Sequence, residues 1–191
     1  MRTFFSILLL ALCNYTFAQT YKDALIDDLR GNVKSCTYYD KNDMFSDDFE
    51  KGRTIEFKKN GQLNNSAQYK RDTKNRIKEI RIATEHIYGG KYISLMCYEY
   101  NDNGYIKNET MWEVSLDGTK KEATSRYDYY YDAKGYVSKI ISKDLSGSGR
   151  IDLVTEYKYI SFDKKGNWIE REYTDPVTLG ICTEKRIIEY Y

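Results

Sequence analysis

The 191-residue chain has one proline and one histidine, and its thirty basic residues nearly cancel twenty-nine acidic ones. Each scarcity excludes something. A net charge of +1 with interleaved signs gives no electrostatic reason to expect nucleic acid or an anionic membrane. A single histidine, His86, beside Gly89-Gly90, provides no ligand cluster for zinc and no nucleophile–base–acid set. Asn101-Asp102-Asn103-Gly104 resembles a fragment of a calcium loop. With Glu99 as its first position, however, Thr110 stands where the bidentate glutamate belongs. No motif calls for a cofactor. Beyond the N-terminus no apolar run is long enough to span a bilayer as a helix. A membrane barrel fails on alternation, because both faces of the last strand carry charge: Glu189 and Lys185 on one, Arg186 and Glu184 on the other.

The N-terminus has the layout of a secretory signal peptide over residues 1–18. Arg2 gives a positive start, an apolar run follows, and Thr16-Phe17-Ala18 places small residues at the cleavage positions. Lipidation at Cys13 is the rival reading, and Leu12 stands where a small residue is needed. The expected product is an exported protein of the periplasm, cell surface or medium, with residues 19–191 forming one domain. It keeps Cys36, Cys97 and Cys182. These are read as small buried hydrophobes on strands, although an oxidising compartment would allow one pair to bond.

What the chain has in excess is tyrosine, twenty residues against seven phenylalanines. Tyrosine favours strands and tolerates half-burial with its hydroxyl wet. Three segments align without gaps: Tyr98-Glu99-Tyr100-Asn101-Asp102-Asn103-Gly104-Tyr105-Ile106, then 129–137, then 160–168, with Gly104, Gly135 and Gly166 spaced 31 residues apart. A fourth copy surrounds Gly61. In a degenerate fifth, Asn75 takes the glycine place, since asparagine also tolerates the left-handed conformation. The shared unit is aromatic, Asn or Asp, two polar residues, Gly, any residue, apolar. An Asx side chain at the first turn position bonds the backbone ahead of it, and glycine at the last takes positive φ, which closes a type I turn with a G1 bulge. The register predicts cross-strand pairs Phe57–Leu63, Tyr100–Ile106, Tyr131–Val137 and Phe162–Trp168, with a weaker Arg71–Ile77 pair.

Between these turns lie second turns at 116–118, 145–149 and 86–91. The flanking segments alternate with period two: Ile151, Leu153, Thr155, Tyr157 and Tyr159 share one face. The expected fold is all-β: an antiparallel meander of ten to eleven strands from tandem β-hairpins, in a twisted, curved sheet. A short N-terminal helix is expected over residues 21–29, capped by Thr20 and stopped by Gly31.

The repeated unit resembles the YD, or RHS, repeat. The stretch opening Leu29-Arg30-Gly31-Asn32-Val33 and the late copy Asp163-Lys164-Lys165-Gly166-Asn167-Trp168 look like small exported YD-repeat-like proteins of Gram-negative bacteria. The resemblance covers residues 29–173. It implies a curved β-shell and no particular chemistry.

Candidate functional residues come from the aromatic rows. Tyr127, Tyr129 and Tyr131 share one face, Tyr157 and Tyr159 hold related positions, and Trp112 and Trp168 add large rings. Such a surface either packs the sheet's own inner face or stacks on a glycan or a protein partner. The functional expectation is a non-catalytic binding or scaffold protein, its partner an unidentified protein or glycan. The alternative is a secreted hydrolase with a carboxylate pair on the concave sheet face, which a glycosidase would hold at a fixed separation. Glu99, Glu109, Glu113, Glu156, Glu170, Glu172 and Glu189 alternate with apolar residues and read as solvated instead.

Overall fold

The computed structural model describes residues 23, 28–42, 49–65, 67–85 and 90–191. The segment expected to be a signal peptide, residues 1–18, lies outside them, as do Thr20, His86 and most of the expected N-terminal helix. Of that helix only Asp23, Asp28 and Leu29 are described. Asp28 has a φ of 53°, so the chain has left right-handed helical geometry by that residue.

Eleven strands form one open antiparallel sheet: β1 (Val33–Asn42), β2 (Glu50–Glu56), β3 (Gln68–Arg71), β4 (Ile77–Glu85), β5 (Lys91–Tyr100), β6 (Ile106–Ser115), β7 (Lys121–Tyr131), β8 (Val137–Asp144), β9 (Leu153–Phe162), β10 (Trp168–Thr174) and β11 (Ile181–Tyr190). The all-β hairpin architecture is therefore as expected. From β3 to β11 the strands are neighbours in chain order. The β1–β2 hairpin then adds beside β11, which puts β2 and β3 at opposite ends of the sheet. This return covers what would otherwise be the long exposed edge of β11. The sheet does not close: β2 and β3 are not paired with each other.

The turns form as their residues dictate. Gly61, Gly104, Gly135 and Gly166 have φ between 79° and 86°, and Asn75 has 61°. In the Gly104 turn the Gly104 amide donates to the Asn101 carbonyl at 3.0 Å, and the Tyr105 amide donates to Asn101 Oδ1 at 3.0 Å. Asp72, Asp132 and Asp163 accept in the same way from Arg76, Tyr136 and Asn167. All five register pairs are present, Arg71–Ile77 among them, each beside the bulge the turn type requires or as an isolated bridge. One boundary differs: Ile151 lies outside β9 and is exposed, so the alternating face begins at Leu153.

Successive turns are keyed to one another. Tyr100 donates its hydroxyl to the Ile77 carbonyl (2.6 Å), Tyr131 to Ile106 (2.9 Å) and Tyr159 to Val137 (2.7 Å), so each copy bonds to the one before. The residue after each turn glycine reaches forward. Tyr136 donates to the Gly166 carbonyl at 2.6 Å, and the Tyr105 ring stacks on Tyr131 at 4.9 Å. In the last copy Asn167 holds the N-terminal segment instead: its Oδ1 accepts from the Arg30 amide (2.6 Å), and its Nδ2 donates to the Arg30 carbonyl (2.9 Å).

These ties curl the sheet. One buried cluster joins Ile77, Ile80, Tyr98 and Ile106 from β4–β6 to Cys36, Tyr38 and Trp168 from β1 and β10, with Leu29, Val33, Phe57 and Leu63 between them. Asp23 helps to bring the two ends together. Its carboxylate accepts from the Leu63 amide after β2 (2.8 Å) and from Arg71 on β3 (2.7 Å). The result is a trough, filled at its turn end and lined above by inward-facing tyrosines.

Candidate functional site

The phase of each strand decides which side chains enter the trough. On β7 and β9 the odd-numbered tyrosines face inward, and the β7–β8 and β9–β10 pairings place Ile140 opposite Tyr129 and Tyr173 opposite Tyr157. On β10, Arg171 is in phase with Tyr173 and pairs with Tyr159 across the strand. On β1, Tyr38 pairs with Arg186 of β11.

Above the buried cluster these elements enclose a cavity of about 190 Å³, lined by Asp28, Tyr38, Arg53, Tyr129, Val137, Ile140, Tyr157, Trp168 and Arg171. Its walls come from β1 and β2 on one side and β7 to β10 on the other. Trp168 (1% exposed) belongs both to its lining and to the packed cluster, and Asp28 leads into Leu29 of that cluster.

The site is polarised by arginines. Arg171 Cζ lies 4.1 Å from the Trp168 ring centroid and 4.1 Å from that of Tyr157, and Arg186 Cζ lies 3.8 Å from Trp168. Arg171 donates from Nε and Nη2 to a single oxygen of Glu184, each at 2.6 Å. Burial works against that guanidinium's charge, but Glu184 outweighs it and holds the Arg171 pKa above its usual value. Arg53 stands at the exposed rim, 4.7 Å from the Tyr38 ring.

Asp28 is the cavity's one carboxylate. Its backbone carbonyl accepts from Arg186 at 3.1 Å, while its Oδ2 is buried without a hydrogen-bond partner. Burial pushes its pKa up to about 6, against the pull of Arg186, Arg171 and Arg30. Trp168 Nε1 is likewise buried and unpartnered. The hydroxyls differ. Tyr129 donates to Glu109 at 3.2 Å, and burial raises its pKa strongly. Burial also raises Tyr157, whose hydroxyl makes no hydrogen bond among the described residues.

Of the seven aromatic candidates, the structure brings three together: Tyr129, Tyr157 and Trp168. Tyr131 and Tyr159 spend their hydroxyls on the inter-copy bonds and do not line the cavity. Tyr127 shares the inner phase but lies outside the cavity lining. Trp112 is on the opposite face, paired with Leu95 and covered by the Lys121 ammonium 4.2 Å from its ring. Asp28, Tyr38, Arg53 and Arg171 carried no functional reading in the sequence. Arg171 alone had a legible signal, since it holds an aromatic-phase position between Glu170 and Glu172.

Among the described residues Cys36, Cys97 and Cys182 form no disulfide; Cys36 and Cys182 are buried and Cys97 is half-buried. Among the described residues no group of His, Cys, Asp and Glu has the arrangement of a metal site, and no helix is long and apolar enough to cross a membrane. No family model matches the chain, and no curated protein matches it.

Proposed function

We propose that the protein is an exported, non-catalytic binding or scaffold protein of the YD-repeat-like kind, and that it contacts a glycan or a protein through the aromatic concave face of its sheet. The observation that carries this reading is the cavity where Tyr38, Tyr129, Tyr157 and Trp168 are collected from four strands around a few polar groups. Rigid amphipathic rings on strands provide contact area at little entropic cost, and the surrounding turn network holds them in place.

The cavity chemistry favours binding over the hydrolase alternative. It presents one carboxylate, Asp28. Outside the cavity, Glu184 is bound by Arg171 and Glu109 by Tyr129, while Asp40 faces Glu184 across the β1–β11 pair. A glycosidase needs two that face the scissile bond.

The test combines a glycan array with a pull-down from native cell envelope, using the wild type, Tyr157→Ala and Trp112→Ala. The expected result is a retained ligand that Tyr157→Ala weakens at least tenfold and Trp112→Ala leaves unchanged. Loss on Trp112→Ala alone would move the surface to the other face. A folded protein that retains nothing in either format would refute the reading.

A further inference from the structure

We infer that the N-terminal segment 28–33 is a proton-controlled latch on the wall of the concave cavity. It seats tightly while the Asp28 carboxyl holds a proton and loosens when that carboxyl ionises. Such a device belongs to the wall itself and acts whether the cavity is filled or empty.

The segment builds part of that wall. Asp28 lines the cavity, and Leu29 and Val33 are buried in the adjoining cluster. Main-chain ties hold it in place. Arg186 Nη2 donates to the Asp28 carbonyl, Asn167 bonds both backbone groups of Arg30, and the Tyr191 amide donates to the Asn32 carbonyl at 3.2 Å. These ties leave the Asp28 side chain out.

That side chain is surrounded by charge that does not bond it. Neither oxygen accepts a hydrogen bond among the described residues, and Oδ2 is buried. Arg186 of β11 gives Nε to the Trp168 carbonyl and Nη2 to the Asp28 main chain. Arg171 of β10 gives Nε and Nη2 to Glu184. Arg30 gives Nη2 to the Lys134 carbonyl and lies over the Tyr136 ring. Arg53 of β2 stands at the rim, over Tyr38. Asp132, between β7 and β8, adds repulsion. The Tyr131 and Tyr159 hydroxyls, from β7 and β9, donate to the Ile106 and Val137 carbonyls. The guanidiniums of Arg186, Arg171 and Arg30 therefore soften the cost of an ionised Asp28 from a distance, and no hydrogen bond offsets the rest.

A proton removes that cost. A neutral carboxyl is buried far more cheaply than a charged one, so seating the segment favours the acid form. Burial puts the seated pKa at about 6, against 3.8 for an ordinary aspartate in water. Opening the segment therefore releases a proton. The opening equilibrium rises with pH between about 4 and 6 and levels off above that, with a ceiling of about a hundredfold. The carboxylate beside the clasp does not compete. Burial opposes the charge of Asp163, but bonds from Tyr190 and the turn amides outweigh it and hold its pKa below the ordinary value. Asp163 thus stays ionised across this range.

The test follows the Arg30 amide, which donates to Asn167 Oδ1, by hydrogen-exchange NMR at pH 4.5 and 7.5. Intrinsic exchange rates are divided out, and the amides of β8 serve as reference. In the wild type, Arg30 protection should fall about tenfold or more from the lower to the higher pH, relative to β8. Asp28→Asn should keep it level, and asparagine tolerates the φ of 53° at this position. A carbon-13 titration of the wild-type Asp28 carboxyl should have its midpoint near 6. That titration reads the same claim without the variant. Wild-type protection that is level with pH, or that falls equally in Asp28→Asn, would overturn the latch. So would an Asp28 midpoint near the ordinary aspartate value.

Discussion

At the scale of single residues, two positions concentrate the physics. The first is Gly135. Its φ of 82° disfavours any side chain, and a Cβ there would collide with the Tyr105 hydroxyl and lie 2.8 Å from Tyr105 Cζ. Gly118 has a similar φ, 74°, but open space around it. Gly118→Ala should thus cost about 1 kcal/mol, the conformational penalty alone, while Gly135→Ala should cost about 2–3 kcal/mol by adding the clash. Chemical denaturation of both variants checks the difference, and equal losses would contradict the packing between neighbouring turns.

The second position is Asp28. Its folded pKa of about 6 lies above the ordinary aspartate value of 3.8, so the native state holds that proton more tightly than the unfolded state does. The contribution to stability therefore falls as pH rises from about 4 to 6, and stays at its least favourable level above that. Asp28→Asn should raise stability at pH 7 by about 1–3 kcal/mol and gain nothing at pH 4. Denaturation of both proteins at the two pH values decides the matter; an equal gain at both would show that Asp28 is not held protonated by burial. A destabilising carboxylate in a binding cavity is the kind of local conflict expected where function outweighs stability.

At the scale of elements, the inter-copy hydroxyl bonds are the repeating joint. Tyr131→Phe should cost about 0.5–1.5 kcal/mol by orphaning the Ile106 carbonyl, and Tyr100→Phe a similar amount at Ile77. The third copy already carries phenylalanine, Phe162, at this position, and Tyr159 makes the corresponding bond from three residues upstream. Much at this scale could be read from the sequence, because a hairpin turn is a local event. An Asx at one end and a glycine at the other fix the turn, the turn fixes the bulge, and the bulge fixes which side chains oppose each other. The site was legible only where it follows strand phase. Tyr129, Tyr157 and Trp168 could be named as inward-facing. Trp112 was not separable from them, since one residue of phase moves a ring to the other face.

At the scale of the whole molecule, the curl of the sheet decides everything that sequence could not. Asp28 and Arg53 become cavity residues only because the N-terminal segment crosses to the last turn and the β1–β2 hairpin docks on β11. Those are contacts between residues more than a hundred positions apart. No period or local motif encodes them. Asn167 is the clasp. Its amide group bonds both backbone groups of Arg30 and also donates to the Tyr190 hydroxyl at 2.6 Å. Asn167→Ala should cost about 2–3 kcal/mol and speed amide hydrogen exchange across residues 29–33 well ahead of β7 and β8, a local opening that exchange mass spectrometry resolves. Uniform exchange would contradict the clasp.

The cavity exists only if the sheet is rolled, and one pair of positions tests that most directly. Arg53 on β2 and Ile140 on β8 are five strand spacings apart, about 24 Å across a flat sheet, yet they line the same cavity. With Cys36, Cys97 and Cys182 replaced by alanine, Arg53→Cys and Ile140→Cys should be joined within one chain by a bifunctional thiol reagent too short to span the flat distance, giving a single linker mass per molecule. Two separately capped cysteines and no bridged species would contradict the rolled trough, and the binding site with it.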